Sequence, residues 1–384
     1  MDTRYLIVGG GMTADAAVKG IREHDGDGSI ALVGSEPHPP YKRPPLTKGL
    51  WSGGDEAKIW KHTADAGAEV ILGRRIVALD LANARATDDA GDEHGYEKLL
   101  LATGGTPRRL GRADEQVIYY RTLDDFRKLK QITDGGAHVV VIGGGFIGSE
   151  LAASLTSAGA KVTMVIPEAG VTSRVLPDGL ARFVADYFRA KGVEMLTEET
   201  VASIDGTTVR TGSGRTIEAD AVVAGLGIVP NIELAEAAGL SVDNGIVVDR
   251  FGRVDGRDDV FAAGDVANYP NLVLGGQFRV EHEDHANTHG RIVGANMAGA
   301  REAYDHLPLF YSDLFDLGYE AVGEVDSRLA TVETWEETNR KGTIAYVDDA
   351  GRPRGFLLWN VWDKVDVARE LIRAGEPVGE GAFV

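Results

Sequence analysis

Two segments of this chain repeat one grammar: a β-branched run, a glycine cluster, a helix of small residues and a second strand ending near an acid. The first passes from a strand over Tyr5 to Val8 through Gly9, Gly10 and Gly11 into a helix over Ala14 to Arg22 and a strand over Ser29 to Val33. The second passes from Val139 to Ile142 through Gly143, Gly144 and Gly145 into a helix over Gly148 to Ala158 and a strand over Lys161 to Ile166. Each is a βαβ unit, whose crossover length and handedness imply a parallel sheet. The duplication predicts two doubly wound α/β domains.

Gly9-x-Gly11-x-x-Ala14 and Gly143-x-Gly145-x-x-Gly148 both leave a strand and open a helix. In that context backbone N–H groups and the positive helix end can meet a pyrophosphate without side-chain obstruction. An acid about twenty residues on is needed to accept from a ribose hydroxyl, and Glu36 and Glu168 stand at the ends of the second strands. The pair of motifs implies two dinucleotides, one held permanently as FAD and one exchanging as NAD(P)H. A carboxylate at Glu168 repels a 2′-phosphate and favours NADH over NADPH, while Arg174 just beyond argues the other way.

A length of 384 residues gives room for two or three domains. Towards the C-terminus, Tyr319 to Val325, Leu329 to Thr334, Thr343 to Val347 and Gly355 to Val361 read as short antiparallel strands. Asp363 is the expected N-cap of a covering helix that stops at Gly375. The formal charge of −19 argues against nucleic acid as a partner. With no cysteine, disulfides, thiolate metal sites and redox-active dithiols are excluded. No apolar run approaches the roughly 18 residues of a membrane span, and a start that enters a strand at once predicts a cytoplasmic protein. Asp284, His285 and His289 lack a second ligand segment, so no metal site is expected. Taken alone, Val260 to Asp265 is a strand ending in a helix-capping acid.

The order of motifs is more specific: GGG at 9–11, PYKRPPLTKGLW from Pro40, YEKLLLATGGTPR from Tyr96, VVVIGGGFIGSE from Val139, GLGIVPN from Gly225, FAAGDV from Phe261 and RVEHEDHA from Arg279. It resembles flavoprotein reductases of the ferredoxin/rubredoxin reductase group, and within it apoptosis-inducing factor and its prokaryotic relatives. The resemblance implies two Rossmann-like domains of glutathione-reductase type and a C-terminal α+β domain. Its boundaries would be 1–112 with 229–302 for FAD, 113–228 for NAD(H) and 303–384 for the interface domain. Carried onto this sequence, the family's FAD contacts fall on Gly9, Gly11, Ala14, Glu36, Arg43, Lys48, Arg121 and Asp265, with Glu281, His282 and Tyr311 near the ring. Gly143, Gly145, Gly148 and Glu168 would hold the nicotinamide nucleotide. Lys48 and Glu150 match an ion pair beside the flavin, Phe146 an aromatic on the nicotinamide side, and His282 a residue near the isoalloxazine. Tyr311 departs from the tryptophan common in relatives. No long insertion interrupts Glu333 to Thr343, so the apoptotic role is not carried over.

The resulting reading is an FAD-dependent NADH oxidoreductase. Hydride passes to the flavin, and without cysteine the electrons leave directly to an external acceptor: a ferredoxin, a quinone or oxygen. A dedicated ferredoxin or rubredoxin reductase is one alternative. An NADH-responsive sensor that changes conformation or passes from monomer to homodimer is another. An acidic ferredoxin needs local cations, for which Lys42, Arg43, Arg74, Arg75, Arg108, Arg109 and Arg112 are candidates.

Overall fold

The structure, a computed structural model, describes residues 2–111, 115–379 and 381. Its helices are α1 (Met12–His24), α2 (Leu123–Thr133), α3 (Phe146–Ser157), α4 (Asp178–Ala190), α5 (Glu233–Ala237), α6 (Glu283–Met297) and α7 (Val365–Ala374). The chain divides into two compact bodies, one of residues 1–42, 56–106 and 229–308, the other of 43–55, 107–228 and 309–384. The expected boundary at Arg112 lies outside the described residues, as does Arg112 among the candidate cations.

The first body is built on a seven-stranded sheet. Strands β1 (Asp2–Val8), β2 (Ile30–Gly34), β3 (Ala68–Leu72), β4 (Ile76–Asp80), β5 (Arg85–Asp88) and β6 (Glu93–Leu101) lie in the order β3-β2-β1-β6-β5-β4, and Val260–Ala262 adds to β6. The β3, β2, β1, β6 and 260–262 pairings are parallel, and β5 with β4 forms an antiparallel extension. Successive residues of β1 are buried on opposite faces, Tyr5 and Ile7 on one, Leu6 and Val8 on the other. That explains a continuous apolar run where an alternating one would mark a half-exposed sheet. Helices α1 and α6 meet along glycines. A Cβ at Gly20 would lie 1.9 Å from the Arg291 carbonyl oxygen, and one at Gly294 would lie 2.2 Å from that of Ala17.

The second body carries a five-stranded parallel sheet in the order Glu194–Leu196, Lys161–Val165, His138–Ile142, Ala221–Ala224, Ile118–Tyr119. It also holds a five-stranded antiparallel sheet ordered Leu309–Leu314, Leu317–Gly323, Pro353–Trp359, Lys341–Val347, Ala330–Glu337. Helix α7 covers this sheet through Ala368 and Ile372. Two expectations need correction here. Leu309–Leu314 is an edge strand that the sequence reading left out, because polar Ser312 faces the buried side and aromatic Tyr311 the exposed one, which masks the alternation. Asp363 is not the N-cap of α7: Lys364 is, and Asp363 has a left-handed backbone (φ 61°) instead of the extended one a capping side chain requires. No helix among the described residues is long and apolar enough to cross a membrane.

Candidate active site

Both glycine loops are built for backbone approach. Gly9 has φ +129°, and a Cβ there would fall 2.1 Å from the Ala102 carbonyl oxygen. Gly143 has φ +101°, with a Cβ 2.5 Å from the Gly225 oxygen. In contrast, a Cβ at Gly11 or Gly145 would meet nothing within 4 Å. Gly11 and Gly145 N-cap α1 and α3 with extended backbones and no side-chain cap, so the first N–H groups of each helix face an uncluttered opening. Such a cradle fits a pyrophosphate. Gly148 packs α3 on its own loop, its would-be Cβ 2.0 Å from the Gly143 oxygen, whereas Ala14 is accommodated at the same place in α1.

The two acids differ. Glu36, just past β2, accepts a hydrogen bond from the Tyr41 hydroxyl at 2.6 Å. Glu168 is half-buried, and among the described residues its carboxylate makes no hydrogen bond or ion pair. Arg174 is exposed. The first loop has a further buried acid with no motif to announce it. Asp15, fully buried in the first turn of α1, accepts from Thr63 Oγ1 at 2.8 Å and pairs with Lys19 at 2.8 Å and Lys61 at 3.4 Å.

The prolines of PYKRPPLTK open a short 3-10 turn over Pro44–Thr47. It is fixed within the second body: Trp51 Nε1 and the Tyr120 hydroxyl both donate to the Leu46 carbonyl, and Ser154 Oγ donates to that of Thr47. Lys48 therefore leaves the turn towards α3, where its Nζ lies 2.5 Å from Glu150 Oε1. The Glu150 carboxylate also accepts from Ser312 Oγ at 2.7 Å and, on its other oxygen, from Thr47 Oγ1 at 2.6 Å. Lys48 lies 3.4 Å from the more exposed Asp313 and 4.9 Å from the ring centre of Tyr311. Phe146 heads α3 and meets Phe310 edge to face at 5.2 Å. Arg43 donates to the Arg121 carbonyl at 2.9 Å.

In the first body, Gly264 and Asp265 form a short turn after the strand 260–262. The Asp265 carbonyl accepts from Arg279 at 3.1 Å, and Arg279 pairs with Glu281 at 2.6 Å. His282 is the N-cap residue of α6, and burial pushes its imidazole down to about 4 against the opposing pull of Asp265 and Asp284. His285 and His289, one turn apart, are fully buried against Tyr269 and Tyr304. Asp284 instead pairs with His306 at 2.6 Å.

The site residues expected from sequence thus form two sets. Lys48, Glu150, Phe146, Tyr311, Arg43 and Arg121 belong to the body that carries Gly143, Gly145, Gly148 and Glu168; Gly9, Gly11, Ala14, Glu36, Asp265, Glu281 and His282 belong to the other. Sequence reasoning missed Thr47, Ser312, Asp313, Asp15 and Lys61. Of these Thr47 lies in PPLTK, Ser312 and Asp313 follow Tyr311, and Asp15 follows Ala14, whereas Lys61 has no such neighbour.

This constellation defines a two-dinucleotide flavoprotein, and comparison with known proteins agrees. Residues 3–290 match the pyridine nucleotide-disulphide oxidoreductase family, to which the chain belongs, and 293–354 match the C-terminal domain of mitochondrion-associated apoptosis-inducing factor. It is similar to apoptosis-inducing factor 1, mitochondrial, of Dictyostelium discoideum, with 35% identity over 96% of this chain and 78% of the relative. It is equally similar, at 35%, to the ferredoxin–NAD(+) reductase component of the anthranilate 1,2-dioxygenase system of Burkholderia cepacia, over 97% of this chain and 94% of the relative. The crystal structure of a ferredoxin reductase of the CYP199A2 system from Rhodopseudomonas palustris superposes with a TM-score of 0.90 at 30% identity, covering 98% of this chain and 96% of that one. The protein is an FAD-dependent NAD(P)H oxidoreductase.

Proposed function

We propose that the chain oxidises NADH and delivers the electrons to a separate carrier of the ferredoxin type. The observation that carries this reading is the Lys48–Glu150 pair, buried and held by three donors, in a chain with no cysteine to receive electrons internally. Bound FAD supplies a ring that accepts a hydride and gives up its electrons to an acceptor. The residues do the rest. Gly9 and Gly11 clear the N-terminus of α1 for one pyrophosphate, and Gly143, Gly145 and Gly148 clear that of α3 for the other. Glu36 and Glu168 accept from ribose hydroxyls, and Glu168 disfavours a 2′-phosphate. Lys48 is 15% exposed, so it presents a fixed cation to the redox locus with little screening, and the charge-assisted bonds to Glu150 keep it in one place. Phe146 covers the nicotinamide side, Tyr311 takes the role relatives give tryptophan, and Arg43, Arg121, Asp265, Glu281 and His282 bind the flavin moiety. In this assignment 1–112 with 229–302 hold FAD, 113–228 holds NADH and 303–384 forms the interface domain. Similarity to a named ferredoxin–NAD(+) reductase component supports the acceptor class.

Anaerobic titration with NADH, followed by mixing with an oxidised ferredoxin, tests the proposal. Bleaching of the flavin band and rapid ferredoxin reduction are expected, with NADPH at least about tenfold less effective, and Lys48→Met slows bleaching by roughly tenfold or more. A reduced protein that persists in air, passes nothing to ferredoxin and changes mass with NADH would replace this reading with the sensor. Light scattering with and without NADH separates monomer from homodimer.

A further inference from the structure

The buried imidazoles of α6 have no part in the site as assigned, yet one of them reaches it. His289 is 0% exposed, and its Nδ1 accepts the backbone N–H of Gly264 at 3.3 Å. That direction fixes the tautomer: Nδ1 carries the lone pair and Nε2 the hydrogen. His289 Nε2 has no partner among the described residues. A buried N–H without an acceptor costs roughly 1–3 kcal/mol, a cost leucine would avoid, so the Gly264 bond stands out as the reason for a polar side chain here. Gly264 has φ +75°, and a Cβ on it would lie 2.1 Å from Thr13 Oγ1. The same peptide thus touches the first turn of α1, which follows Gly11, and leads into Asp265, whose carbonyl is held by Arg279.

We propose that His289 is a positioning residue for the flavin: by accepting the Gly264 N–H it sets the Gly264–Asp265 turn against Thr13, so that Asp265 and the α1 N-terminus face one cofactor in a fixed relation. The side chain itself touches no cofactor. The surrounding rings explain how the acceptor is aimed. His289 packs against Tyr304 at 4.4 Å, His285 at 4.8 Å and Tyr269 at 5.3 Å, and His285 Nδ1 is tied to the Tyr304 hydroxyl at 2.8 Å. The three neighbouring rings pack around the fully buried imidazole and restrict its orientation.

The inference rests on Asp265 as a flavin contact, and the experiment separates the two. FAD release is followed by flavin fluorescence after dilution for wild type, Asp265→Ala, His289→Leu, His289→Asn and His289→Gln, with melting of each apoprotein and holoprotein. Asparagine places its amide oxygen where Nδ1 was, and glutamine places it where Nε2 was. Release is expected to speed up about tenfold in His289→Leu and His289→Gln and to stay within about twofold of wild type in His289→Asn. In His289→Leu and His289→Gln the holoprotein melt should fall further than the apoprotein melt. Equal release in the asparagine and glutamine variants overturns the positioning role even if the leucine variant does not fold. Faster release in Asp265→Ala with no change in His289→Leu and His289→Gln overturns it while keeping the flavin assignment. An Asp265→Ala variant that binds FAD as wild type overturns both.

Discussion

The two glycine loops share one spacing, but they are braced in opposite ways. Around the first, the acid is tied to Tyr41, a buried carboxylate four residues past Gly11 collects Thr63 and two lysines, and the helix behind it is pressed on α6 backbone to backbone. Around the second, Glu168 has no partner among the described residues, and the residue four past Gly145 is Ser149, whose hydroxyl turns back on the Gly145 carbonyl. The helix that follows opens on Phe146, and its Glu150 is bound by Lys48, Thr47 and Ser312. Under the proposed assignment of FAD to the first loop and NADH to the second, retention and exchange follow from what braces the acid and the helix, because the fingerprint spacing is shared. A ligand that must leave at each turnover is served by a site with groups waiting for it; a resident one is served by a site already cross-linked.

The largest expected effect comes from Gly9. Gly9→Ala forces an L residue to φ +129° and a Cβ to 2.1 Å from Ala102 O, which should cost at least about 3 kcal/mol and yield protein without flavin. Gly148→Ala should keep its flavin and raise the KM for NADH by roughly tenfold. Visible spectra of the purified variants decide this, and a flavin-free Gly148→Ala would break the comparison.

The buried carboxylate comes next. Asp15→Ala strands Thr63 and leaves Lys61 its Asn287 partner but not its counter-charge, and should destabilise by about 3 kcal/mol in denaturant melts, against less than about 1 kcal/mol for Ser149→Ala. Acid gives a third contrast, since burial holds His285 of the first body at about 4, below its ordinary 6.5. An imidazole that is neutral when folded stabilises fully above 6.5 and loses that contribution as pH falls towards 4, because the unfolded chain then binds the proton. The loss from this one imidazole is on the order of 3 kcal/mol, and burial depresses His282 and His289 as well, so FAD should be released over this window and His285→Phe should remove part of the pH dependence. The smallest effect is at the acids. Glu168→Gln should narrow the preference for NADH over NADPH by roughly tenfold in KM with no change in melting, whereas Tyr41→Phe should lower stability by about 1 kcal/mol and leave NADH kinetics alone.

Much of this was legible because it is local. Each βαβ unit announces itself through a short-range pattern, and helices and strands fell within a few residues of their expected places. The Leu309–Leu314 strand escaped because the inward set, Phe310, Ser312 and Leu314, contains a hydroxyl and the outward set contains Tyr311, so the in–out alternation is masked. The shell around Glu150 escaped for another reason. Thr47 and Ser312 are hydroxyls without a sequence signature, and they reach the carboxylate from segments 103 and 162 residues away along the chain. Lys61 and His289 likewise gain meaning only from a partner distant in sequence.

The glycine seam between α1 and α6 bears on how the protein is made. Its halves are residues 12–24 and 283–297, so on the ribosome α1 waits for α6 for on the order of tens of seconds. Strands β1 and β6 can pair early, but the helix above them stays uncovered. The waiting face is Thr13, Ala16, Ala17 and Gly20, which offers little apolar surface to a chaperone or a neighbouring nascent chain. The same small residues that let two backbones touch also keep this one face of the unfinished half poor in large apolar groups.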